Sequence, residues 1–253
     1  MDVADRFALL VAGPDPIRVD EGAVLIAAGL DPAVDPDHER RRLDRLADAV
    51  RQPTLDGVRH LLFDDLGFRG DRSTYYDPRN SLLPAVIDRR LGIPISLAVL
   101  TMGVARRVGA PVDGVGMPGH FLLRDRVDHG VFIDPFSGGV ELDRAGCERR
   151  FRAIQGPGAT FDPGFLEPTP EPAILARMLA NLRAIHARSG DRGALADVLV
   201  LITRLPGSGD DERRQLAAVL AAQGRFGEAA AVHDDLGGDD DGRQAARLRA
   251  RLN

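Results

Sequence analysis

Residues 95–108, ISLAVLTMGVARRV, are apolar on nearly every side until two terminal arginines. A helix of that kind is stable only when buried, so the rest of the chain has to wrap around it. Pro94 suits the first turn of such a helix, and Arg106 and Arg107 suit its C-terminal end, where cations are favoured. The wrapping must be largely aliphatic, because aromatic residues make up 5% of the chain and Trp is absent.

The segment before this helix reads as helical. Residues 3–11 form a short apolar helix, 19–29 a second, and the charged run HERRRLDRLADAV a third. Asp35, Pro36 and Asp37 start that run, and Leu43, Leu46 and Val50 repeat at helical spacing, which makes HERRR a solvated face. A fourth helix spans 55–66. Residues 67–78 read as loop and 80–91 as a helix closed by Gly92, with Asn80 as its cap.

Three strands follow, at 112–117, 120–124 and 130–134. A hairpin symmetric about Val127 sets His120 directly across from Asp134 and Leu122 across from Phe132, with Phe121 and Leu123 on the opposite face. Residues 155–172, rich in Pro and Gly, read as a linker. Helices then resume. Gly190 and Gly224 stand 34 residues apart, a tetratricopeptide-like period, and Leu182/Leu216 and Val198/Val232 keep the same spacing. GGDDDG at 237–242 reads as a loop before a last short helix.

Composition excludes several chemistries. The formal net charge is −5, which argues against a nucleic-acid partner. All 33 basic residues are Arg, so neither a lysine Schiff base nor a P-loop lysine is available. The single cysteine, Cys147, rules out an intrachain disulfide and a cysteine-built zinc site, and its helix gives it the character of a packed small hydrophobe. No metal or cofactor is expected. No apolar run reaches the roughly 18 residues of a membrane span, and the acidic N-terminus lacks a basic leader, so the expected location is cytoplasmic.

DPRNS at 77–81, DRRLGIPISL at 88–97, PGHFLLR at 118–124 and IDPFSGG at 133–139 resemble the transglutaminase-like superfamily. More narrowly they resemble a bacterial branch of the invasion-regulator type, which couples a degenerate core to a tetratricopeptide-like tail. The resemblance implies an α+β fold: a degenerate transglutaminase/papain-like core, a helical N-terminal layer and α-helical C-terminal hairpins. It implies a domain at 1–160, with the layer at 1–70 and the core at 71–155, and a tail at 171–253. In active members a cysteine at the N-terminus of the buried helix is the nucleophile, a histidine on the next strand its base, and an aspartate one strand on its orienter. Their pattern, C-x-x-x-A-x7-R-x-x-G-x-P, finds Ala98, Arg106, Gly109 and Pro111 here, and its cysteine position falls on Pro94. His120 and Asp134 match the other two members in type and order.

Two functional readings follow. In one, the protein is non-catalytic, binding a protein partner through the cleft around His120 and through the tail, with Tyr76, Asp77, Asn80, Pro94 and Gly119 lining the cleft. In the other, Ser96, His120 and Asp134 act together in a hydrolase or amidotransferase on an acyl or amide group. Ser96 lies two residues past the nucleophile position, about 200° around a helix, so it points away unless the helix start is irregular. A first-turn hydrogen-bonding role explains Ser96 equally.

The tail has too few repeats to bury both ends of its own stack, and Leu175, Leu179 and Leu199 need partners. Truncation after Pro170 is therefore expected to lower the melting temperature of the remainder and to promote its association. A monomeric fragment that melts where the full chain does would make the tail an independent module.

Overall fold

The computed structural model describes residues 1–252. Helices α1 (Val3–Ala12), α2 (Val19–Leu30) and α3 (Pro36–Asp48) form the first layer. Asp2 caps α1 and Asp35 caps α3, each carboxylate accepting a first-turn N–H, and Pro36 needs no partner at the first helical position. Helix α4 (Leu55–Arg59) runs on into a π-helical turn, His60–Asp65, where the periodicity indicates plain α-helix. The widened turn carries Phe63, which packs against the backbone of Gly139.

The apolar segment is helix α6 (Pro94–Arg107), buried at nearly every position. Helix α2 crosses it closely: a Cβ on Gly103 would sit 2.6 Å from the Asp20 Cβ. Asp20, 1% exposed, pairs with Arg107 at 2.6 Å and Arg106 at 3.1 Å, and Arg107 Nε reaches Asp44 at 2.8 Å. One ionic network therefore ties α2, α3 and the C-terminal end of α6 together, where the helix dipole favours the arginines.

The segment before α6 differs from the sequence reading. A 3-10 turn, Pro78–Ser81, precedes a shorter helix α5 (Leu83–Arg89). Arg90, in the left-handed region at φ 57°, closes α5. Leu91–Gly92 then forms strand β2, parallel to β1 (Arg69–Gly70). These two-residue strands leave no period to read in the sequence.

After α6 comes an antiparallel meander in the order β3 (Val112–Val115), β4 (Leu122–Asp125), β5 (Phe132–Asp134) and β6 (Val140–Leu142). The fourth strand is an addition to the three expected. The β4–β5 register pairs Leu123 with Ile133 and Arg124 with Phe132, two residues away from the symmetric hairpin, so Leu122 does not face Phe132. Because side chains alternate with period two, the slip leaves each residue on its expected face. Phe121, Leu123 and Ile133 enter the main core with α6. Val115, Leu122 and Phe132 form a second core with Cys147 and Phe151 of α7 (Arg144–Gln155).

The expected linker is a packed strap. Phe161 and Phe165 stack against Phe151, and Leu166 is buried. Thr169 bonds Gly114 O and Gly116 N at 2.8 Å each, covering the free edge of β3. Helices α8 (Glu171–Ser189), α9 (Arg192–Ile202), α10 (Asp210–Ala222), α11 (Phe226–Leu236) and α12 (Asp239–Arg249) follow. Two pairs, α8–α9 and α10–α11, turn at Gly190 and Gly224, and α12 starts inside the GGDDDG run read as loop. Leu175 of α8 packs on Gly22 of α2 and Leu201 of α9 on Gly29, so the main apolar core runs from Phe7 to Ala229 across the strap.

Gly103→Ala tests the α2–α6 crossing. Helix propensity alone would favour Ala by about 1 kcal/mol, whereas overpacking costs about 1–3 kcal/mol. The expected net result is a loss of stability in urea unfolding; a gain would mean that α2 has room to move.

Candidate functional site

His120 enters its position through a turn. Pro118 and Gly119 are the central residues, the His120 N–H donates to Met117 O at 2.9 Å, and Gly119 has φ 72°. That is a type II turn, in which Pro sets the first central residue and Gly supplies the positive φ of the second. Gly119 is also crowded: a Cβ there would lie 2.6 Å from Gln155 Nε2 and 2.9 Å from Ile154 Cγ2. The turn is held from two sides. Gln155 of α7 donates to Pro118 O at 3.1 Å, and Arg177 of α8 donates to His120 O at 2.9 Å while lying over the Phe121 ring. Burial pushes the Arg177 pKa down.

Asp134 ends β5 and caps the 3-10 turn Pro135–Ser137, accepting the Ser137 N–H at 3.1 Å. The same oxygen lies 2.9 Å from His120 Nε2. Arg150 Nε of α7 stands 3.0 Å from the other oxygen, an ion pair without hydrogen-bond alignment. Burial pushes the Asp134 pKa up, but the bond and charge of His120, the Ser137 N–H and the Arg150 charge together hold it below the usual carboxylate value. An ionised Asp134 accepts a hydrogen bond from His120 Nε2–H, so in the neutral ring Nδ1 carries the lone pair. Such a ring can accept a proton from a donor in the cleft.

That cleft, about 460 Å³, is lined by Pro94, Gly119, His120, Tyr75, Phe136 and Arg150 among others. The His120 ring meets Phe136 edge-on at 6.1 Å, and Tyr75 meets Phe136 at 5.9 Å. Pro94, at the first position of α6, and His120 thus share one cavity.

The remaining candidates lie elsewhere. Ser96 is fully buried; its hydroxyl donates to Asn80 O at 2.5 Å and accepts from Ile93 N at 3.1 Å. No hydrogen bond joins it to His120 among the described residues, so Ser96, His120 and Asp134 are not brought together. Asn80 is neither a helix cap nor a cleft residue. It is buried, donating to Asp71 at 3.1 Å and Thr74 O at 2.8 Å and accepting from Arg89 at 2.8 Å. Asp77 does not line the cleft either; it caps the Pro78–Ser81 turn and pairs with Arg79. Tyr76 points to a different hollow, where the Arg188 guanidinium stacks 4.5 Å from its ring centre.

Asp71, which the sequence did not single out, organises this loop. It is 2% exposed and accepts from Ser73 at 2.9 and 3.0 Å, from Thr74 at 2.5 and 2.9 Å, and from Asn80 and Arg89. Those bonds, led by the two from Thr74, hold its pKa far below the ordinary range. DRST at 71–74, an Asp followed by two hydroxyl residues, is the signal that could have marked it. Tyr75, which precedes the core helix with Tyr76, does line the cleft; Phe136 and Arg150 are cleft residues that only the three-dimensional arrangement reveals. Cys147 is fully buried, and burial pushes its thiol up to about 12.

A family model of the transglutaminase-like superfamily matches residues 36–180, which include α6, His120 and Asp134. The chain belongs to the transglutaminase-like superfamily. Among relatives, a UPF0162 protein of Xylella fastidiosa is 46% identical over 160 residues, covering 60% of this chain and 57% of that protein. A UPF0162 protein of Pseudomonas aeruginosa is 35% identical over 211 residues, covering 79% of this chain and 77% of that protein. F-box only protein 21 of Mus musculus is 32% identical over 151 residues, covering 56% of this chain and 23% of that protein. No solved structure matches. Among the described residues, no helix of this superfamily member is long and apolar enough to cross a membrane.

Because Asp134 has a folded pKa below the ordinary 3.8, its pair stabilises the fold above that pH and loses its effect as pH falls through the lowered value. Asp134→Asn is expected to cost about 2–4 kcal/mol at neutral pH. Urea titrations should show the gap between wild type and variant narrowing on acidification below that range. A gap independent of pH would mean that Asp134 is not held ionised.

Proposed function

We propose that this is a non-catalytic binding or regulatory protein of the cytoplasm. In this reading the cleft around His120 holds a segment of a protein partner, and the tail helices, as tetratricopeptide-like hairpins, add contact surface. One juxtaposition carries it. A bonded His120–Asp134 pair stands on the wall of a cavity whose facing residue at the α6 N-terminus is Pro94, which has no nucleophile. Neither nearby alternative supplies one: the Ser96 hydroxyl is committed to Asn80 O, and the Cys147 thiol lies in the second core. The homologous segment is 23% of F-box only protein 21, which supports a module that works attached to other sequence.

Two measurements test the reading. Wild type should hydrolyse p-nitrophenyl esters and glutamine amides no faster than His120→Ala; turnover that depends on His120 sinks the proposal. Pro94→Cys should restore the missing member, since a thiol at a helix N-terminus beside histidine is acidified. Its alkylation by iodoacetamide near neutral pH is expected to be on the order of tenfold faster than in the Pro94→Cys/His120→Ala double variant. Equal rates would mean that position 94 does not address His120. Cys147, with its raised pKa, should stay unlabelled in both.

A further inference from the structure

The His120 cleft is half of a longer groove. A second cavity of about 570 Å³ adjoins it, and Arg72 and Phe136 line both. Arg69, Gly70, Ser73, Ser137 and Gly138 belong to the second cavity. Phe136 stands at the junction of the two. It packs so closely on β1 that a Cβ on Gly70 would sit 2.3 Å from its ring, and the Arg72 guanidinium lies 5.1 Å above it.

The exposed charge of this groove is positive, on a chain whose net charge is −5. Arg69 and Arg72 are exposed and have no acidic partner among the described residues; Arg69 reaches only Gly67 O, at 3.4 Å, and Arg72 only the Phe136 ring. Arg150 adds a third guanidinium on the His120 side. The two acids nearby do not offset these charges at the surface. Asp71 turns both oxygens inward onto Ser73, Thr74, Asn80 and Arg89, and Asp134 is fully buried against His120 and Arg150. Ser137 Oγ, in the wall of the second cavity, has no hydrogen-bond partner among the described residues.

We infer that this groove binds an extended, acidic peptide segment, a carboxylate side chain entering the Arg69–Arg72 cavity and the side chain two residues along entering the His120 cavity. The inference rests on the binding role proposed for that cleft and names the chemistry of its occupant. Guanidinium forks match carboxylates in two-point geometry, and unpaired surface arginines leave that capacity free. Two adjoining cavities that share Phe136 and Arg72 suit a strand, whose alternate side chains leave the backbone on the same side. Exposed Tyr75 and Ile154 at the rim add apolar contact beside the charges, the composition of a peptide-binding centre. A nucleic-acid strand is disfavoured by the overall negative charge.

The test uses the full chain and a fluorescein-labelled peptide of four Glu-Ala repeats, with Gln-Ala and Arg-Ala counterparts, read by anisotropy at low salt. The Glu peptide is expected to bind at least about tenfold more tightly than the Gln peptide, a difference of about 1.4 kcal/mol. Arg72→Glu should weaken it by at least about tenfold. Arg51→Glu, the same charge change at an exposed site outside both cavities, should leave it unchanged. Equal binding of Glu and Gln peptides, no saturation, or an Arg51→Glu loss equal to that of Arg72→Glu overturns the inference. Displacement by inorganic phosphate, where acetate at equal ionic strength does not displace, makes this a phosphate site and overturns it too. Mass spectrometry of the recovered peptide separates the two proposals. Intact peptide with no binding defeats only the acidic-groove inference. Bound peptide that is cleaved, and cleaved only when His120 is present, defeats only the non-catalytic reading.

Discussion

The geometry of the cleft depends on one buried amide. Asn80 bonds through its side chain to Asp71, Thr74 and Arg89, and through its carbonyl to Ile93 and Ser96 at the start of α6. A polar side chain removed from water has to find such partners or destabilise the fold. By finding all of them, Asn80 fixes the loop that carries Arg72 and Tyr75 against the helix that carries Pro94. The polar residues that read as nucleophile or cleft lining, Ser96, Asn80 and Asp77, are the supports behind the cleft. The residues that face it include a proline, two aromatics, two arginines and one histidine.

The His120–Asp134 pair sits on a different support, the β4–β5 hairpin and the Pro118–Gly119 turn. Its geometry matches that of a histidine–carboxylate pair able to act as a base, and the chain belongs to a superfamily whose model covers it. What the cleft offers in place of a nucleophile is a rigid pyrrolidine ring and a band of positive charge. The pair is therefore best understood with its neighbours: Asp134 is held by Arg150 as well as by His120, so one carboxylate both orients the imidazole and brings a guanidinium to the cleft wall.

Much of this was legible from patterns that local physics fixes. The all-round apolar helix, the cap at Asp35, and the order of His120 and Asp134 follow from residue type and spacing alone. Pairing across the hairpin was right in face and wrong by two residues, because alternation fixes the face while the loop, not the pattern, fixes the register. The strap at 155–172 was read as a linker because Pro and Gly dominate it, yet Phe161, Phe165 and Leu166 had already supplied a reason to pack. Asp71 and Asn80 were missed or misassigned for a shared reason. Each also has partners 9 to 18 residues away, beyond the reach of a capping rule, although the Ser73 and Thr74 bonds of Asp71 are local.

Arg177 gives the molecule an order of assembly. The guanidinium that holds the His120 carbonyl comes from α8, 57 residues further along the chain. During synthesis the hairpin bearing His120 leaves the ribosome well before its brace exists. Helix α6 and the meander can collapse together first, but the turn at Pro118–Gly119 stays unbraced on that side until α8 docks beside it. The cleft thus lacks one of its two braces until α8 exists, and a chain interrupted between the strap and α8 carries the His120 turn without the Arg177 contact.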